Sequence, residues 1–98
     1  DPYDTTRYIS EEGFKRVINA LVHFLDKDQV KYIRDTFWAN LDIGGPSSEY
    51  GISSKELKLQ LNRLQASGKV KASQFEAVEK LFLNELTKHG SLHGIYGR

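Results

Sequence analysis

Apolar residues recur at three- and four-residue intervals in four runs along this chain, and that period allows little except helices. Phe14, Val17, Ile18, Leu21 and Leu25 make the first run, and Val30, Ile33, Phe37 and Leu41 the second. Leu57, Leu61 and Leu64 make the third; Phe75, Val78, Phe82 and Leu86 make the fourth. Each spacing puts its residues on one helical face, which must be buried against another element. Local signals mark the ends. Ser10 is placed to N-cap the first helix, with Glu11 and Glu12 in its first turn and Ile9 stapling onto Phe14. The second helix is expected after Asp28, and "DIGGPSSEYG" stops it because Gly-Gly-Pro cannot continue a helix. Ser53 and Glu56 form a capping box for the third, with Ile52 stapling onto Leu57 and Gly68 ending it. Ser73 and Glu76 offer a second box for the fourth, where Lys88 and His89 suit the C-terminal dipole before Gly90. The expected class is all-α.

The runs also repeat. "YISEEGF" (8–14) and "GISSKEL" (51–57) share an apolar residue, a serine cap and a second apolar residue five positions after the first. Ile9 and Ile52 stand 43 residues apart, and a further 43 leads to Ile95 in "HGIYG". The intervening helices match at a shift of 45: Asp28 with Ser73, Val30 with Phe75, Ile33 with Val78, Phe37 with Phe82 and Leu41 with Leu86. A concerted register across two helices and three loop ends points to a duplicated unit.

Composition narrows the function classes. At 98 residues and a net charge of +1, the chain is one domain's worth, without the excess charge of a dedicated nucleic-acid or membrane-surface binder. Residues 1–50 carry nine acids and six bases, whereas 51–98 carry four and eight. With no cysteine, disulfides and thiolate metal sites are excluded. No apolar run approaches transmembrane length, and the expected setting is intracellular, cytoplasmic or cytoskeleton-associated. A chain starting at Asp1 rather than methionine reads as an excised fragment or a processed product.

"DQVKYIRDTFWANLD" followed by "GISSKEL" resembles the first helix–loop–helix of the calmodulin-like EF-hand proteins. The entering helix, the terminal pair Leu41–Asp42, the isoleucine late in the loop and the closing Glu56 all have counterparts. The resemblance covers residues 28–64 as one complete unit. Residues 73–98 look like a second unit cut off after its loop, and residues 2–25 like the tail of a preceding one. It implies a single four-helix EF-hand-like domain over 1–98, divided as 1–25, 26–66 and 67–98. In it, Ile52 and Ile95 (or Ile9) occupy a short strand coupling paired loops.

The metal positions do not follow the scaffold. An EF loop needs side-chain oxygens at its first, third and fifth positions, glycine at the sixth and a bidentate glutamate at the twelfth. With Glu56 twelfth, these become Gly45, Ser47, Glu49 and Tyr50, and Gly51 comes one residue late. Counting from Asp42 makes the loop three residues too long, with Pro46 inside it. Asp42, Glu49 and Glu56 are then the one set able to gather a weak calcium ion. The late loop offers Lys88, Gly90 and Leu92, and the early one puts Gly13 where the glutamate belongs. No cofactor is expected. Calcium switches also expose methionine-rich grooves, and this chain has no methionine.

Other signals are weaker. Trp38 and Tyr32 flank the second stripe as partner anchors or seam fillers. His89 and His93 have the spacing of a zinc pair but sit among glycines without further ligands, and His23 reads as a flank residue. Lys55, Lys58, Arg63, Lys69 and Lys71 read as a solvated face. No phosphate loop or nucleophile–base pair is present, so catalysis is not expected. The expected function is a non-catalytic, calcium-independent protein-binding module that grips a partner protein or amphipathic helical peptide. Phe37, Trp38, Leu41, Leu61 and Leu64 are its candidate contacts. A homodimer or a place in a larger chain is compatible with the incomplete units. The alternatives are a weak calcium sensor or buffer and a helical nucleic-acid-binding domain.

Overall fold

Residues 7–39, 51–89 and 91–92 are described by the computed structural model. They form β1 (Arg7–Ile9), α1 (Glu11–Leu21), α2 (Lys27–Ala39), β2 (Ile52–Ser53), α3 (Ser54–Ser67), α4 (Ala72–His89) and β3 (Ser91–Leu92). The described residues are predominantly helical, as the apolar spacing predicts.

Two helices start at the expected serine, α3 with the serine half of its capping box, and two start elsewhere than expected. Ser10 Oγ accepts from the Gly13 N–H, and Ser53 Oγ from the Glu56 N–H, each at 3.1 Å. The Glu56 carboxylate accepts from Gln60 Nε2 at 3.0 Å. Gln60 is 2% exposed, and a buried amide must find an acceptor. α2 starts at Lys27, before Asp28: Asp26 Oδ1 accepts from the Gln29 N–H at 2.8 Å, and Gln29 Oε1 accepts from the Asp26 N–H at 3.0 Å. α4 starts at Ala72, so Ser73 lies inside the first turn. Here Gln74 Oε1 accepts from the Lys71 N–H at 2.9 Å. In both helices a glutamine at the third position satisfies a backbone donor ahead of the helix.

The strands form one small antiparallel sheet in the order β2–β1–β3. Ile9 faces Ile52 and Tyr8 faces Ser53; on the other edge Arg7 faces Leu92 and Tyr8 faces Ser91. Ile9 therefore partners Ile52, while Ile95 lies outside the described residues. Gly51 makes the approach possible. Its φ is +111°, and a Cβ there would lie 2.0 Å from the Ile9 carbonyl oxygen.

Residues equivalent in the repeat touch each other. Ile9 pairs with Ile52 across the sheet. Phe37 stacks on Phe82 with ring centroids 5.0 Å apart, and Gln29 Nε2 donates to Gln74 Oε1 at 3.0 Å. These contacts join equivalent positions in the same order along α2 and α4, consistent with an internal two-fold relation. One unit, α2–β2–α3, is contiguous. The other combines α4 with β1–α1, which pack together although they come from opposite ends of the sequence. The segments that read as parts of two separate incomplete units thus complete one another. The connections 22–26 and 68–71 occupy equivalent places. Buried residues of all four helices, with Ile9 and Ile52, share one core.

Candidate functional site

α1 and α2 leave an open groove of about 580 Å³ between them. Its floor is apolar: Phe14 and Ile18 from α1 and Trp38 from α2. Phe14 and Trp38 are in tilted contact, with ring centroids 5.0 Å apart. Phe14 is buried, whereas Ile18 and Trp38 are half-buried and reach the surface. One turn beyond Ile18, Val22 stands 56% exposed at the C-cap of α1. Residues 14, 18 and 22 follow at i, i+4 and i+8, so an apolar strip runs from the groove along α1.

Charges rim this floor. On α1, Lys15 Nζ lies 3.6 Å from Glu11. On α2, Lys31 Nζ donates to Asp35 Oδ2 at 2.7 Å, and Arg34 Nε lies 3.6 Å from Asp35 Oδ1. The Lys31 hydrogen bond is the main reason the Asp35 carboxyl is held below the usual carboxylate range, with Coulombic help from Lys31 and Arg34. These groups are exposed, so water weakens the pairs and leaves them exchangeable.

The candidate contacts of the sequence divide. Trp38 lines the groove. Phe37, Leu61 and Leu64 are 0–1% exposed and belong to the core; as they stand they offer a partner no surface. Their helical stripes are the ones that close the domain, which is why they cannot also form its outer face. Leu41, Asp42 and Glu49 lie outside the described residues, as does His93. Glu56 holds Gln60, and among the described residues no three of His, Cys, Asp and Glu gather as a metal cluster. Tyr32 is half-buried beneath Lys69, whose Nζ lies 5.4 Å from the ring centroid. Lys55, Lys58, Arg63, Lys69 and Lys71 are exposed, and so are His23 and His89.

The apolar spacing assigns Phe14 and Ile18 only to the buried face of their helix. The missed signal is that the first run carries two stripes. Val17 and Leu21 are sealed, while 14, 18 and 22 form a second line beside them. Their repeat equivalents Leu57 and Leu61 are sealed as well, so the floor that is open at α1–α2 is closed at α3–α4.

Behind the groove, α1 is fastened to α4. Arg16 Nη2 and Nε donate to Glu85 Oε2 and Oε1 at 2.6 and 3.3 Å, and Glu85 is 8% exposed. The carboxylate raises the already high Arg16 pKa, first through this hydrogen bond. A Cβ at Gly13 would lie 2.7 Å from Glu85 Oε2. Where the loop pattern wants a glutamate, Gly13 makes room for one from α4.

Compared with protein-family models, curated proteins and solved structures, the chain matches none. Among the described residues no helix is long and apolar enough to cross a membrane.

Proposed function

We propose that this chain is a non-catalytic protein-interaction module on a degenerate EF-hand-like scaffold, taking a partner helix in the α1–α2 groove. The observation that carries the reading is the groove itself. A tryptophan and an isoleucine, each half-buried, flank a phenylalanine between two helices, with charges at the rim. Partner helices use such surfaces, with aromatic anchors at the centre and a polar border. The EF-hand-like part is supported by the antiparallel Ile9–Ile52 pair, each isoleucine followed by a serine-capped helix, and by the internal two-fold relation. Calcium independence is supported by Gly13 at one closing position and by Glu56 bonding Gln60 at the other.

Trp38 is the single tryptophan, so its emission reports on the groove alone. Titrating designed amphipathic helices of varied charge is expected to shift that emission, with amide shifts clustered on α1 and α2. Ile18→Asp and Val22→Asp should each abolish the response. A response indifferent to both changes, or amide shifts clustered elsewhere, would overturn the groove assignment. A parallel calcium titration is expected to leave the amides of 42–56 unmoved at micromolar ion.

A further inference from the structure

The two walls of the groove differ in chemistry. On α1 the wall is apolar: Phe14 and Ile18 line it, and Val22 extends the strip to about 12 Å of helix. On α2 the facing line is cationic. Lys27, Lys31 and Arg34 follow at i, i+4 and i+7, and Trp38 falls on the same line four residues further on. All three cations are exposed. The α2 acids, Asp28 and Asp35, stand seven residues apart on a separate line beside this one. Asp35 holds Lys31 at 2.7 Å and Arg34 more loosely at 3.6 Å, while Lys27 has no ion pair among the described residues. One carboxylate thus serves two of the three cations. On α1, by contrast, Glu11 and Lys15 offset each other at 3.6 Å. The excess positive charge of the groove therefore lies on its α2 wall.

Resting on the reading of the groove as a docking surface for a helix, we propose that its occupant is an acidic amphipathic helix. Its apolar stripe covers Ile18, Val22 and Trp38, and its carboxylates line the one border that faces α2. To meet Lys27, Lys31 and Arg34 they recur every three or four residues over two turns, as one helical border does. A basic helix would set like charges against α2, and a neutral one would leave Lys27 and Arg34 no better partnered than before. The acids belong on one border only, because the Glu11–Lys15 pair leaves the α1 side neutral. These pairs are exposed, so they govern the choice of partner more than the strength of binding, and salt screens them.

The test uses three designed helices without tryptophan, alike in their apolar stripe and bordered by glutamate, glutamine or lysine. Each is titrated into the protein and read by Trp38 emission. The glutamate-bordered helix is expected to bind about tenfold more tightly than the glutamine-bordered one at low salt, and the lysine-bordered one more weakly than both. That advantage should shrink as salt shortens the screening length. Lys27→Gln, Lys31→Gln and Arg34→Gln together should abolish the preference and leave binding of the glutamine-bordered helix unchanged. Lys55→Gln, Arg63→Gln and Lys80→Gln together remove the same charge from α3 and α4, where none of the three lines the groove, and should leave the preference intact. A preference that survives the α2 changes, or falls equally with the α3 and α4 changes, would overturn the proposal. Equal binding of the three helices would also overturn it, while the groove reading stood. If none of them moves Trp38 emission, both fail.

Discussion

Gln29 donates to Gln74 at 3.0 Å, and the two glutamines hold the same position in their two helices. Each also satisfies the backbone N–H just before its own helix: Gln29 that of Asp26, and Gln74 that of Lys71. Gln29 reaches further, to the Lys69 carbonyl at 3.0 Å. One pair of side chains thus caps two helices and ties both interhelical connections together. Gln29→Ala and Gln74→Ala should each destabilise by about 1–2 kcal/mol, from lost caps and a shared hydrogen bond. The double variant should cost less than the sum by about 0.5–1 kcal/mol, because the bond is counted twice. Denaturant unfolding of the four proteins measures that difference, and strict additivity would show that the bond carries no energy.

The serine caps make a matched pair and leave one control. Ser10→Ala and Ser53→Ala each remove an acceptor at 3.1 Å and should cost about 1 kcal/mol apiece. Ser73→Ala should cost almost nothing, because Ser73 lies inside α4 and the cap comes from Gln74. Thermal unfolding of the three variants separates them.

Where sequence and structure agree, the physics is local. Apolar period and a serine ahead of it depend on a few neighbouring residues, and Ser10, Ser53 and the four apolar faces were readable. Capping by Gln29 and Gln74 was less so, since a glutamine at the third position is also an ordinary helix former. Pairing of α4 with α1 is a matter of topology: the repeat showed that the end segments were alike, and only three-dimensional closure shows that they complete each other. Within the site, Trp38 was legible as an aromatic beside the stripe. Ile18 was not, because spacing alone cannot say which of two adjacent stripes a neighbouring helix will cover.

The pH dependence of the groove rim follows from Lys31 and Asp35. A carboxyl whose folded-state pKa is lowered adds stability above its unfolded value and loses that contribution as pH falls through the folded one. Asp35 should therefore titrate below the usual carboxylate range, with its small contribution lost only in strong acid. Lys31→Gln should move the midpoint back up, because the hydrogen bond is its first cause. Carbon-detected NMR titration of the Asp35 carboxyl reads the shift in both proteins.

Gly51 is where the two-fold relation is most exposed to a single change. Alanine there must adopt φ near +111° and place a Cβ 2.0 Å from the Ile9 carbonyl oxygen, a backbone atom unable to swing aside. Gly51→Ala should cost about 3 kcal/mol or more, a large share of the roughly 5–15 kcal/mol that holds a domain folded. Native-state hydrogen exchange should show the loss first at the β1–β2 amides.

Gly13 should invert the usual sign of a glycine-to-alanine change in a helix. Alanine gains up to about 0.8–1 kcal/mol over glycine in a helix interior, and less in a first turn such as the one that holds Gly13. Here the new methyl would stand 2.7 Å from Glu85 Oε2 and 3.2 Å from its Cγ. The carboxylate is nearly buried and bound to Arg16, so moving it breaks a charge-assisted pair and leaves the acid poorly solvated. Gly13→Ala should therefore destabilise the protein by about 1 kcal/mol. In a Glu85→Ala background the obstacle is gone, and the same change should stabilise by about the propensity difference. Both steps can be read from denaturant midpoints at constant slope. A stabilising Gly13→Ala in the wild type would mean that Glu85 yields freely, and that the Arg16–Glu85 pair does not hold α1 to α4.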